Sequence, residues 1–94
     1  MFPYIGEKAV RRFEEMLNDK VLQDNKLYFN HVLRTYFKVS SHGFLFTYKK
    51  DIDESGKISI KEYKLDKEGD YILNKVIPIT ERELEVNINN AEVI

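Results

Sequence analysis

The chain has 94 residues, of which 43% are hydrophobic and 33% charged, and its formal net charge at pH 7 is −1. This length and composition predict one globular domain, residues 1–94, with a single core. A near-neutral charge argues against general binding to nucleic acid or anionic membranes, since both need a basic face. The lack of cysteine excludes disulfides, thiolate nucleophiles and cysteine-based metal sites. No apolar run approaches the ~20 residues of a membrane span and no basic signal-peptide region opens the chain, so we expect a soluble cytoplasmic protein.

Residues 5–22 have the pattern of an amphipathic helix. The apolar residues that recur at helical spacing are Ile5, Ala9, Val10, Phe13, Met16, Leu17 and Val21. Glu7 in the first turn and Lys20 in the last turn match the helix dipole, and Pro3 suits the start. The mixed charges of the opposite face predict that it is solvated.

Residues 27–40 support two interpretations. Tyr28, Val32 and Tyr36 repeat at a period near four, which suits a helix, whereas Leu33, Thr35, Phe37 and Val39 alternate as in a strand. Three turn-forming segments that end in glycine, at residues 43, 56 and 69, follow at intervals of 13 residues. Regular turns between short alternating runs favour an antiparallel meander. Its predicted strands are residues 31–40, 44–52, 57–65 and 70–78, the last closed by Pro78.

The third predicted strand changes its alternation midway. Ile58 and Ile60 have even residue numbers, whereas Tyr63 and Leu65 have odd ones, so a regular strand would point the two pairs to opposite faces. If both pairs face the core, a bulge near residues 61–62 is required.

The C-terminal segment carries a helix-start signature. Thr80-x-x-Glu83 is a capping box, and Ile79 and Leu84 occupy the positions of a hydrophobic staple. The predicted fold is therefore α+β: an N-terminal amphipathic helix, a four-stranded antiparallel meander and a short C-terminal helix. The alternative is an ααβββα order in which residues 25–39 are helical.

The segment Asp51–Glu62 resembles the calcium-binding loop of the EF-hand family over twelve residues. The resemblance implies that the calcium ligands would be Asp51, Asp53, Ser55, the Lys57 carbonyl, Ser59 and Glu62, with Gly56 at the tight turn. An EF-hand loop lies between two amphipathic helices, but Lys50 and Thr47 stand where the entering helix would be apolar. Asp, Ser and Gly are also turn formers, so the same residues predict a β-hairpin. The hairpin is the favoured interpretation, and we assign no metal or cofactor site.

No catalytic constellation stands out. There is no cysteine, no Gly-x-Ser-x-Gly elbow and no phosphate-binding glycine motif, and the two histidines, His31 and His42, are too few for a histidine-only metal site. The basic residues that could form a nucleic-acid face with Tyr36 and Phe37 are interleaved with acids; they are Lys8, Arg11, Arg12, Arg34, Lys38, Lys49 and Lys50.

We therefore predict a non-enzymatic protein-binding or regulatory module, of the kind used as inhibitors, immunity proteins or mobile-element accessory proteins. A four-stranded open sheet has two edges, and the aromatic residues Tyr28, Tyr36, Phe37 and Tyr48 exceed what a small core is expected to bury. Both features predict contact with another protein or with a second copy of the chain. Calcium binding through residues 51–62 is the second hypothesis and nucleic-acid binding the third.

Overall fold

The computed structural model describes Arg11, Glu15 and residues 22–94. Its strands are β1 (Tyr28–Asn30), β2 (Thr35–Val39), β3 (Leu45–Ile52), β4 (Ile58–Leu65), β5 (Tyr71–Pro78) and β6 (Glu92–Val93), and its helix within residues 22–94 is α1 (Glu81–Asn90). The six strands form one sheet in the order β5-β4-β3-β2-β1-β6. β1 to β5 pair antiparallel with their sequence neighbours, and β6 pairs parallel with β1.

The predicted four-stranded meander is wrong, since residues 22–94 alone form a mixed sheet of six strands. Asn30 explains the first departure: its side-chain oxygen accepts hydrogen bonds from the backbone N–H groups of Val32 and Leu33, at 3.1 and 2.8 Å. Arg34 then adopts a left-handed φ of 53°. This turn divides the predicted strand 31–40, so that β1 folds back on β2. The helical alternative for residues 25–39 is wrong for the same reason, and the predicted helix 5–22 lies outside the continuously described residues.

The second departure is β6. The C-terminal residues run beside β1, where Glu92 N–H donates to the Leu27 carbonyl and Ile94 N–H donates to the Phe29 carbonyl, at 3.2 and 2.9 Å. β5 and β6 lie at opposite edges of the sheet, so α1 connects one edge to the other.

The core lies on one side of the sheet, which we call the inner face. Alternate residues of a strand point to opposite faces, and on the inner face Tyr28, Phe37, Val39 and Leu45 are buried together. The rings of Tyr28 and Phe37 stack with their centroids 5.7 Å apart. The opposite side, the outer face, carries half-buried residues such as Tyr36 and Tyr48.

The change of alternation in β4 has a different cause from the one predicted. The β3–β4 register is continuous from Phe46–Lys64 to Ile52–Ile58, so Ile58 and Tyr63 lie on opposite faces. The register shift lies between β4 and β5, at Glu62 and Tyr63, and the additional residue belongs to β5: Asn74 falls between Leu73 and Lys75, which pair with Tyr63 and Glu62. A bulge is therefore present near the predicted position. The assumption that Ile58, Ile60, Tyr63 and Leu65 all face the core was wrong.

The predicted C-terminal helix is confirmed. It begins after Thr80, whose hydroxyl oxygen accepts the Glu83 N–H at 3.2 Å and whose hydroxyl donates to the Glu83 carboxylate at 3.0 Å. The described residues contain no helix whose length and hydropathy would allow it to cross a lipid bilayer.

Candidate functional site

The segment that resembles a calcium loop forms a hairpin turn between β3 and β4. The Asp53 carboxylate accepts hydrogen bonds from the Ser55 N–H, the Ser55 hydroxyl and the Lys57 N–H, at 2.9, 2.7 and 2.9 Å. These bonds, with the Ser55 hydroxyl first, hold the pKa of Asp53 below its ordinary value. Gly56 has a φ of +85°, a conformation that favours glycine. The side chain of Asp53 thus closes the turn.

The structure does not bring the predicted calcium ligands together. Asp51 pairs with Ser59 across the hairpin, whereas Glu62 stands three residues further along β4, about 10 Å away at the usual rise per residue. Because three is an odd number, the side chains of Ser59 and Glu62 also point to opposite faces. Within the described residues, no group of three His, Asp or Glu side chains is placed to hold a metal ion.

Glu62 instead occupies the centre of a buried polar network on the outer face. Its side chain is 4% exposed. One carboxylate oxygen accepts a hydrogen bond from the Tyr48 hydroxyl at 2.8 Å, and the other accepts one from the Asn74 amide at 2.7 Å. The Lys38 ammonium lies 3.9 Å from the same carboxylate and 5.8 Å from the centre of the Tyr48 ring. Cross-strand register places all these groups side by side.

The charges of this network keep Glu62 ionised. Burial acts to raise the pKa of Glu62, but the hydrogen bonds from Asn74 and Tyr48 and the positive charges of Lys75 and Lys38 outweigh it, so the pKa is lowered. Burial and the contact with Glu62 raise the pKa of the Tyr48 phenol well above its ordinary value. Tyr48 is therefore a neutral donor to a charged acceptor near neutral pH. The Tyr48–Glu62 hydrogen bond joins β3 to β4, and the Asn74–Glu62 hydrogen bond joins β5 to β4.

Asn74 links this network to the edge of the sheet. As the additional residue of β5, it directs its side chain to Glu62 of β4, and this contact fixes the bulge in place. β5 pairs with β4 along one side, and its other side has no strand partner among the described residues. The network thus positions an eight-residue edge strand.

The edge strand β5 is the most apolar exposed element in the described part of the chain. Leu73 and Val76 are each 50% exposed on the inner face, and Ile72 is 55% exposed on the outer face. Isolated exposed apolar residues are ordinary, but here three lie on both faces of one strand whose outer side has no strand partner in the described part of the chain. We call residues 72–78 the β5 edge, and it is the candidate functional site.

The aromatic residues and histidines that the sequence analysis singled out lie outside the β5 edge. Of the four aromatic residues predicted to exceed the capacity of the core, Tyr28 and Phe37 are buried, at 2% and 0% exposed, whereas Tyr36 and Tyr48 are half-buried. His31 Nδ1 lies 2.7 Å from the Ile94 carbonyl oxygen, and His42 is exposed in a turn.

The proposed basic residues do not converge in the described range. Lys49 and Lys50 are adjacent in β3, so their side chains start from opposite faces. Lys38 contacts Glu62, and Arg34 lies in the turn between β1 and β2.

Sequence reasoning named Glu62 only as a candidate calcium ligand, and it missed both the buried network around Glu62 and the part of Asn74 in it. The only local signal of the bulge was the switch of apolar positions from even to odd residue numbers within residues 58–65. This switch did not show which strand carries the additional residue. Comparison of the chain with protein families, with curated proteins and with solved structures gives no match.

Proposed function

We propose that this protein is a non-catalytic protein-binding module that extends its sheet through β5, and that the strand it binds is β5 of a second copy of the chain. The observation that carries the proposal is the β5 edge: one side of β5 has no strand partner among the described residues, and both faces carry half-exposed apolar residues. Unpaired N–H and C=O groups along a strand are a template for another strand, and strand addition is a common mode of protein recognition.

The sequence of the β5 edge is complementary to itself. In an antiparallel pair related by a two-fold axis between residues 74 and 75, Leu73 stands opposite the second copy's Val76, and Ile72 stands opposite its Ile77. Residues opposite each other in antiparallel strands share a face. Leu73 and Val76 both lie on the inner face, and Ile72 and Ile77 both lie on the outer face. The two-fold arrangement thus places apolar residues against apolar residues on both faces.

Charge disfavours one alternative register, and chain geometry limits the length of the pairing. A shift by one residue that placed Lys75 opposite its own copy would set two ammonium groups against each other, which is unfavourable. Pro78 has no N–H and so limits pairing at the end of the strand. The other edge of the sheet is β6, which is only two residues long. We therefore expect a closed dimer rather than a filament.

Sedimentation velocity over a range of protein concentrations tests this proposal. The informative variant is Leu73→Lys, because both copies contribute a Leu73 to the two-fold interface, so one substitution places two lysines in it. Val86→Lys is its matched control: Val86 is also 50% exposed but lies on α1. We expect the wild type and the Val86 variant to dimerise, and we expect the Leu73 variant to dimerise at least about tenfold more weakly, a change of ~1.4 kcal/mol.

Two results would overturn the proposal. One is a wild-type protein that remains monomeric up to about 1 mM, a concentration at which even weak association is detectable. The other is an equal effect of the two substitutions, which would place the interface elsewhere. Hydrogen exchange of the β5 amides provides an independent measurement, since pairing should slow exchange in β5 as the dimer fraction increases.

A further inference from the structure

A cavity of about 440 Å³ lies between α1 and the outer face of the sheet. It exists because α1 crosses from the β5 edge to the β6 edge above this face, while the strands beneath it present half-buried side chains. The apolar residues of its lining are Leu27, Ile60, Ile77, Ile79, Leu84 and Ile88, and the rings of Tyr36 and Tyr48 complete the wall. This volume is within the range of small-molecule sites in proteins.

Lysine is the charged residue type among the described residues of the lining. Lys38 and Lys50 start from the outer face, whereas Lys49 starts from the inner face, and the described residues contribute no aspartate or glutamate to the lining. Mixed charges are the rule elsewhere, since the whole chain has 15 basic and 16 acidic residues. An apolar cavity with a purely cationic border is complementary to a molecule with an apolar body and an anionic group.

The three lysines differ in their availability to a ligand. Lys38 already lies 3.9 Å from the buried carboxylate of Glu62. Lys50 starts from the outer face beside Ile60, is exposed, and has no carboxylate partner within the described part of the chain. Lys50 therefore has a charge that a ligand can neutralise without displacing a protein group.

We infer that this cavity binds a small amphiphile with an anionic head group, of the medium-chain carboxylate class. The aliphatic chain would contact Ile60, Ile77 and Ile88, and the carboxylate would lie at the border near Lys50. The hydroxyl of Tyr48 donates to Glu62, so it is not the group that selects the ligand. This site is on the outer face beneath α1, and it shares Ile77 with the β5 edge.

Titration of the folded protein with decanoate, followed by amide NMR below the micellar range, tests the inference. Decyltrimethylammonium has the same chain with a cationic head, and decanol has a neutral one. We expect decanoate to shift the amide signals of Ile60, Ile77 and Ile88 saturably, and we expect the cationic analogue to bind at least about fivefold more weakly.

Variants separate the head-group contact from the apolar contact. Lys50→Gln should weaken decanoate binding about threefold and leave decanol binding unchanged, as expected for an exposed ion pair. Ile88→Phe should fill the cavity and weaken all ligands, and Ile88 is 44% exposed, so the helix tolerates the change. Val86→Phe on the same helix is the matched control, because Val86 is outside the cavity lining.

The inference is refuted by equal affinities for the anionic and cationic amphiphiles, by signals that do not saturate, or by equal effects of the two phenylalanine substitutions. A dispersed spectrum of each unliganded variant shows that it is folded. A loss of binding in a folded Ile88→Phe variant with intact binding in Val86→Phe supports the site.

Discussion

Replacing Glu62 by alanine is expected to lower the free energy of unfolding by about 3 kcal/mol. The substitution removes an ionised acceptor from a site where its side chain is only 4% exposed. Two donors, the Tyr48 hydroxyl and the Asn74 amide, lose their partner, and Lys38 and Lys75 lose their nearby counter-charge.

The magnitude follows from the number and surroundings of these contacts. A hydrogen bond to a charged group contributes about 1.5–3 kcal/mol, so two such bonds have an upper limit near 6 kcal/mol. Asn74 is exposed and Tyr48 is half-buried, so water can hydrate both donors in the variant. Hydration recovers part of the loss, and the lower end of the range, about 3 kcal/mol, is the expected value.

Urea-induced unfolding, monitored by circular dichroism, measures this difference. Glu62→Gln is the conservative variant: its amide oxygen can accept from Asn74 and its amide nitrogen can donate to the Tyr48 oxygen, so about 1 kcal/mol should be lost. Glu54→Ala is the control, because Glu54 is exposed in the hairpin turn, and it should change stability by less than about 0.5 kcal/mol. A loss below about 1 kcal/mol for Glu62→Ala would refute the buried network as a source of stability.

Four further results are expected. Because the pKa of Glu62 is lowered, its contribution is complete above the ordinary glutamate pKa of about 4.3 and is lost as the pH falls through the lowered folded-state pKa; acid titration should therefore destabilise the wild type more steeply than Glu62→Gln, and parallel pH profiles would contradict this. Gly56→Ala should cost about 1 kcal/mol in thermal unfolding, since Gly56 has a φ of +85° and an added Cβ meets no atom within 4 Å, so that only backbone strain acts. Thr80→Ala should cost about 1 kcal/mol in urea unfolding, because the Glu83 N–H loses its acceptor, and an unchanged midpoint would show that this cap is not needed. Addition of Ca²⁺ to about 1 mM should leave the Gly56 amide signal unmoved, since Glu62 lies about 10 Å from the Asp51–Ser59 pair; a saturable shift would contradict the hairpin geometry.

Short-range chemistry made several features predictable. Thr80 and Glu83 are three residues apart, and their contact starts α1 as the capping box predicts. Asp53 closes its turn through bonds to residues two and four positions later, which is the turn chemistry that Asp, Ser and Gly predict for residues 51–62. In both cases the residues that bond to each other are at most four positions apart in the sequence, so the local sequence is sufficient to predict the contact.

The tertiary structure alone decided the number of strands and the role of Glu62. β1 and β6 have three and two residues, too few for a periodic pattern, and they pair across more than 60 residues of sequence, with Tyr28 opposite Glu92. Glu62 fits both a calcium ligand and the solvent face of a hairpin when only its neighbours in the chain are considered. Its burial depends on Tyr48, Lys38 and Asn74, which strand register brings together from three other strands. Register is set by the packing of the whole sheet, and for that reason the sequence of one strand does not determine it.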